Sequence, residues 1–192
     1  MEPHRTPPHR AQGRRQDTAE LDGAWLEKKA VDYAARWETT ERAVAQLLER
    51  KIAERCERTG EDGESVRLLI PNVVERLVEK KFVNDRRAAH QLFERLDRQG
   101  RSRAQILARL MAKGVPEEIA EELTRDNGPA ASSRELRAAW KTARTRRLGP
   151  HSRDPARREA DRDRQLGILA RQGFSSEIAY LVIDAEKAPE NP

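Results

Sequence analysis

One short pattern occurs twice in the second half of the chain and constrains how it can fold. Leu107, Leu110, Gly114, Val115, Glu118, Ile119 and Ala120 recur as Leu166, Leu169, Gly173, Phe174, Glu177, Ile178 and Ala179, each 59 residues after its counterpart. In both copies a helical stripe ends at a glycine and one apolar residue follows. A new helix then opens, at Pro116 in the first copy and at Ser175 or Ser176 in the second. A period near sixty accommodates about three short helices, and such units stack so that each contacts mainly its neighbours. The expected architecture is all-α: an elongated right-handed or curved solenoid of three tandem three-helix repeats.

Apolar residues at helical spacing divide the chain accordingly. Leu26, Ala30, Tyr33, Ala34 and Trp37 form a first stripe after Asp22 as cap, and Val44, Leu47, Leu48 and Ile52 form a second after Thr39 and Thr40. The polar run Gly60-Glu61-Asp62-Gly63 interrupts the second helix. Val66, Leu69, Ile70, Val73, Val74, Leu77 and Val78 follow, with Pro71 set at a kink or, as we place it, in the first turn of the regular helix. Ala88, Ala89, Leu92, Phe93 and Leu96 stop before Gly100, and Ser102 with Gln105 reads as a capping box for Ile106, Leu107, Leu110 and Met111. Ile119, Ala120 and Leu123 lie on a short helix opened by Pro116, Glu117 and Glu118.

Past Asn127-Gly128-Pro129, Ser132 and Glu135 read as a second capping box, for a helix with Leu136, Ala139, Trp140 and Ala143 inward that breaks at Leu148-Gly149-Pro150. Leu166 and Leu169, then Ile178, Leu181 and Val182, complete the pattern. Nine helices and no strand are expected. The boundaries are a disordered basic tail at 1–21, repeats at 22–83 (with a polar insertion near 59–64), 84–127 and 128–187, and a flexible end at 188–192. The tail carries Pro3, Pro7, Pro8, Gly13 and four arginines, without the apolar stretch of a signal peptide.

Composition fits a thin helical body, since only 36% of the 192 residues are hydrophobic and 37% are charged. Net charge is +5 with a pI near 9.6, and arginine excess favours phosphates or carboxylates as partners. The single Cys56 excludes an intrachain disulfide, and no apolar run approaches the about 20 residues of a membrane span, so a cytoplasmic protein is expected, and a monomer because the repeat surfaces that would self-associate are used within the chain. The chemistry of a catalyst is missing. His4, His9, His90 and His151 are scattered, none pairs with Cys56 at a metal-ligand spacing, and Gly60 and Gly63 lack the Lys and Ser/Thr of a phosphate loop. The expectation is a protein with no metal, no cofactor and no enzymatic activity.

Two basic clusters carry more information. Arg95, Arg98, Arg101, Arg103, Arg109 and Lys113 surround the Gly100 turn, and Arg144, Arg146, Arg147, Arg153, Arg157 and Arg158 flank Gly149-Pro150. Any one of them alone reads as solvated surface, but two clusters at comparable turns point to binding. The contact candidates are Arg98, Arg101, Arg103, Arg109, Lys113, Arg144, Arg146, Arg147, Arg153 and Arg157. Trp25, Trp37 and Trp140 read as core or stripe residues rather than stacking platforms. A helix-turn-helix DNA-binding protein is the competing reading, with residues 103–113 and 116–125 as its two helices. Glu117, Glu118, Glu121 and Glu122 on the second helix oppose that reading, because phosphates would repel them.

Phe82-Val83-Asn84-Asp85-Arg86-Arg87-Ala88-Ala89, then Arg98-Gln99-Gly100-Arg101-Ser102 and the Leu107 to Val115 pattern, resemble the central signature of the RecX family, regulators of the RecA recombinase. Arg146-Arg147-Leu148-Gly149-Pro150 and Ala170-Arg171-Gln172-Gly173-Phe174-Ser175 resemble its alphaproteobacterial branch, and the likeness covers about residues 24–187. The chain departs from the family in having Asn84-Asp85 where two acidic residues are usual, and in the Gly60–Gly63 insertion. The resemblance implies a fold of three tandem three-helix repeats. It also implies a partner, the RecA nucleoprotein filament, whose ATP hydrolysis, strand exchange and coprotease activity in the SOS response would be inhibited. Weak non-specific binding of single- or double-stranded DNA is a further expectation.

Overall fold

A computed structural model describes residues 20–125 and 129–189, of which 129–133 and 155 are described by backbone alone. The expected tail and much of the Asn127-Gly128 linker lie outside the described residues. Among these residues there is no strand. Ten α-helices follow one another: α1 (Gly23–Ala34), α2 (Glu41–Thr59), α3 (Glu64–Arg67), α4 (Ile70–Glu79), α5 (Asp85–Arg98), α6 (Arg103–Lys113), α7 (Glu117–Thr124), α8 (Pro129–Arg146), α9 (Arg162–Arg171) and α10 (Ser176–Ile183). Short 3₁₀ turns at Gly149–His151 and Pro155–Arg157 join α8 to α9. The tenth helix is the single turn α3, split from α4 because Pro71 occupies the first turn of a new helix.

Local sequence accounts for most boundaries. Asp22, Thr40, Asn84, Ser102 and Ser175 each accept a hydrogen bond from the backbone N–H three residues on, satisfying an orphan donor of the first turn. Ser132 is different. The helix already runs from Pro129, whose fixed φ suits a first turn, so Ser132 lies within α8 and is not its cap.

Five helices end in the same way. The N–H of Phe82, Arg101, Val115, Leu148 and Phe174 each donates to the carbonyl five residues earlier, on Leu77, Leu96, Leu110, Ala143 and Leu169. The intervening residue is left-handed in every case: Gly100, Gly114 and Gly173, but also Lys81 (φ 59°) and Arg147 (φ 58°). This termination turns the chain sharply and buries Val115, Leu148 and Phe174 beneath the next helix.

Buried side chains fall into three clusters. The first joins α1, α2 and α4 around Leu26, Leu48, Ile52, Val73 and Leu77; the second joins α5, α6 and α7 around Ile106 and Leu110; the third joins α8, α9 and α10 around Ala139, Leu169 and Val182. The repeated positions have matched environments. Leu110 and Leu169, Val115 and Phe174, and Ala120 and Ala179 are all buried. Three residues depart from the expected stripes: Trp37, past the end of α1, is 62% exposed, Leu69, just before α4, is 38% exposed, and Leu181 is 55% exposed while Ile183 is buried in its place.

Adjacent clusters meet through one joint used twice. Thr40, the cap of α2, donates its hydroxyl to the Lys113 carbonyl at 2.9 Å, beside Gly114. Ser102, the cap of α6, donates to the Gln172 carbonyl at 2.6 Å, beside Gly173. The next N–H of each helix is also satisfied across the joint, Glu41 by Asp85 (2.8 Å) and Arg103 by Glu135 (2.9 Å). Burial pushes the Asp85 carboxyl above its usual value, opposed by the bond from Glu41, and burial together with the Asp85 charge raises Glu41.

Candidate functional site

The second joint carries a concentration of positive charge. Arg134, Arg137, Lys141 and Arg144 recur along α8 at helical spacing and therefore share one face. That face looks onto the C-terminal end of α5. Between them lies a cleft of about 310 Å³ lined by Arg98, Gly100, Arg134, Arg137, Lys141 and Arg144, with Asp97 the one acidic residue in its wall. Gly100 lets the two sides approach, because a Cβ there would stand 2.9 Å from Lys141 Cδ. The Lys141 ammonium donates to the Arg98 carbonyl, where a cation complements the end of the α5 dipole. Arg134 lies over the Phe93 ring with its guanidinium carbon 5.0 Å from the centroid, and its Nη1 lies 3.8 Å from Asp97 Oδ1 without a hydrogen bond.

A second groove begins where the cleft ends. Arg98 lines both. The groove of about 650 Å³ continues past Arg95, Lys113 and Leu92 to Tyr33 and the exposed Trp37, with Glu38 and Glu94 also in its wall. Glu38 is engaged by Arg87 at 2.7 Å, and Glu94 sits 3.8 Å from Arg98. A continuous surface thus runs from an exposed indole to five cations.

The structure brings some of the sequence candidates together and leaves others apart. Arg98 and Arg144, 46 positions apart in sequence, share the cleft, and Lys113 shares the neighbouring groove with Arg98. Arg101, Arg109, Arg146, Arg147 and Arg153 are exposed but line neither, and Arg157 faces Asp154 at 3.6 Å. Arg103 has a structural use: its Nε donates to the Thr124 carbonyl at 2.6 Å, closing the end of α7. Arg158 likewise donates to the Ile183 carbonyl at 2.7 Å. The cleft residues absent from the sequence candidates are Arg134, Arg137 and Lys141. Their spacing along one helix was visible, but attention to turns passes over a stripe in mid-helix.

Among the described residues no cluster of three His, Cys, Asp or Glu side chains is placed to hold a metal, and no helix is long and apolar enough to cross a membrane. A surface of guanidinium forks, an ammonium and an exposed indole can hold anionic groups and flat rings.

Comparison with known proteins gives this surface a context. No family model matches the chain, and no solved structure matches it. A curated relative, the "Regulatory protein RecX" of Myxococcus xanthus (strain DK1622), is 34% identical over 165 residues, spanning 85% of this chain and 87% of the relative. Identity at that level across most of both chains, joined to the all-helical fold, means that the chain belongs to the RecX family.

Proposed function

We propose that this chain regulates the RecA recombinase by binding its nucleoprotein filament, inhibiting ATP hydrolysis, strand exchange and coprotease activity and so damping DNA repair and the SOS response. The observation that carries this reading is the relationship to a RecX regulatory protein over most of both chains. In this reading the protein is a cytoplasmic, non-enzymatic monomer, and the three clusters are three tandem repeats, 22–83, 84–127 and 128–187, stacked as a solenoid. The twice-used joint, Thr40 on Lys113 and Ser102 on Gln172, supports that stacking. An elongated body can touch more than one RecA protomer, and several weak patches on one chain gain from effective concentration.

The contact face is assigned to Arg98, Arg101, Arg103, Arg109 and Lys113 with Arg144, Arg146, Arg147, Arg153 and Arg157, to which the cleft adds Arg134, Arg137 and Lys141. The helix-turn-helix alternative has less support. Glu117, Glu118, Glu121 and Glu122 are exposed on α7, where a recognition helix would meet phosphates. The decisive assay is single-stranded-DNA-dependent ATP hydrolysis by the cognate RecA with substoichiometric additions of this protein. Inhibition well below one copy per RecA supports the reading; no effect from folded protein overturns it.

A further inference from the structure

The two joints match in geometry and differ in charge. In each, the first N–H of a helix is satisfied by a carboxylate of the adjoining cluster, Glu41 N–H by Asp85 at 2.8 Å and Arg103 N–H by Glu135 at 2.9 Å. At the second joint the two residues carry opposite charges. At the first, both are carboxylates. Each of these lies in the first turn of its own helix, where the dipole favours negative charge, so two ionised groups meet across the joint. Burial, and then the Asp85 charge, disfavour the ionised Glu41, and burial disfavours the ionised Asp85 against the bond from Glu41.

The cations around this pair are used elsewhere. On α5, Arg87 pairs with Glu38 at 2.7 Å and reaches the Lys81 carbonyl, and Arg86 pairs with Glu122 at 2.9 Å, whose charge His90 also feels. On α2, Arg42 shares a groove wall with Glu41 and with Glu75 of α4, and among the described residues no ion pair joins it to either. From α6, Lys113 meets the joint through its carbonyl.

This joint has little else to hold it. Among the described residues the helix pairs that pack broadly all lie within one cluster, so the joints depend on their polar ties. The second joint adds the Gln105–Gln172 bond at 2.9 Å and the Lys141 bond to the Arg98 carbonyl. The first adds the exposed Arg87–Glu38 pair, and exposed pairs contribute little. The groove of about 650 Å³ between Trp37 and Glu38 of the first cluster and Leu92, Arg95 and Lys113 of the second leaves one side of the joint open to water.

We propose that the joint between the first and second clusters is a proton-regulated hinge, at which the facing carboxylates of Glu41 and Asp85 set how readily the first cluster opens away from the second. Protonation of the pair removes the repulsion and closes the hinge, and ionisation loosens it. Both groups are held above their ordinary values in the closed form, so closure binds protons. Its stability is fully present below those ordinary values and is lost as pH rises through the raised ones. The hinge belongs to the chain alone and stands whether or not RecA is the partner.

The test is amide hydrogen exchange of the full chain, corrected for the intrinsic rate at each pH, from about pH 4.5 to about pH 8. Protection of residues 39–44 is divided by that of residues 102–106 at the second joint, because a general loss of stability lowers both and leaves the ratio unchanged. In the native chain the ratio rises at least about threefold on acidification. Glu41→Gln keeps the backbone bond to Asp85 and removes one charge, and it holds the ratio at the acid level throughout. Glu41→Arg, which copies the charge of Arg103, raises the neutral ratio as well. Glu57→Gln, exposed on the same helix, leaves the native response in place. A native ratio that does not change with pH overturns the proposal, as does a Glu41→Gln chain that keeps the native pH response or a Glu57→Gln chain that loses it.

Discussion

The Ser102 hydroxyl donates to the Gln172 carbonyl at 2.6 Å while accepting the Gln105 N–H at 3.2 Å, so one oxygen both caps α6 and ties it to the turn after α9. The Gln105 side chain, expected to return to the cap, instead donates across the joint to Gln172 Oε1 at 2.9 Å. Ser175 caps α10 in the same manner but is exposed and makes no such tie. Ser175→Ala is therefore a measure of capping alone, about 0.5 to 1 kcal/mol. Ser102→Ala is expected to cost about 1 to 3 kcal/mol, because it also removes the bond to the partly buried Gln172 carbonyl. Urea unfolding of the two variants reads the difference; equal losses would show that the cross-joint bond contributes nothing.

Gly173 makes that tie geometrically feasible. A Cβ at 173 would lie 2.9 Å from Ser102 Oγ and 2.9 Å from Ala104 Cβ, and the residue is at φ 82°. Gly173→Ala meets both the left-handed penalty of about 1 to 2 kcal/mol and the contact. For a chain of this size each kcal/mol is about 2 to 4 °C, so the melting temperature is expected to fall by at least about 3 °C. Gly60 offers the control, at φ 74° with nothing within 4 Å of an added Cβ. Gly60→Ala carries the conformational cost without the contact, and the gap between the two melting shifts reports the joint.

Sequence periodicity made the helices and the repeat legible because both are written in local spacing: stripes, caps and glycine terminations need only nearby residues. The joint was not legible, since Thr40 and Lys113 are 73 residues apart and Ser102 and Gln172 are 70 apart. Trp37 was misread for a related reason. It continues the α1 stripe on paper, but the helix ends at Ala34, and the residues after it no longer follow that face. Gly63 was read as part of a polar loop, yet it is buried against α2, a contact no local pattern announces. The basic cleft lies between these cases. Its α8 face was readable at helical spacing, and its pairing with Arg98 was not.

Lys81 and Arg147 hold left-handed positions that glycine holds at the equivalent turns, which makes Lys81→Gly a stabilising substitution on conformational grounds. Relief of the left-handed penalty is about 1 to 2 kcal/mol, and the added freedom of glycine in the unfolded chain takes back about 0.5 to 1. A net gain of about 0.5 kcal/mol is expected, measured as a higher urea midpoint with an unchanged slope. A lower midpoint would mean that the exposed Lys81 side chain makes a contribution which its surroundings do not reveal.

The Gly60–Gly63 segment is held to α2 by charge, and its stability should depend on pH in a stated direction. Arg55 is buried and clasps Glu61 with two hydrogen bonds, at 2.7 and 3.0 Å, while the Thr59 hydroxyl donates a third at 2.7 Å. The Arg55 bond first, and then that of Thr59, hold the Glu61 carboxyl below its usual value of 4.5. A depressed acid binds fewer protons in the folded state, so its stabilisation is fully present above the unfolded glutamate pKa and is lost as pH falls through the lowered folded value. Glu61→Gln removes that dependence and leaves the Arg55 charge without its clasp. The variant is expected to melt below the native chain at neutral pH and to converge with it as pH falls through the lowered folded value of Glu61. A melting difference that stays constant from neutral to acid pH would show that the clasp is not electrostatic. Gly63→Ala tests the other half of the attachment by packing: its Cβ would press on Ile52 and lie 2.7 Å from Cys56 Sγ. A loss of about 1 to 3 kcal/mol, insensitive to pH, is the expected signature of that overpacked contact.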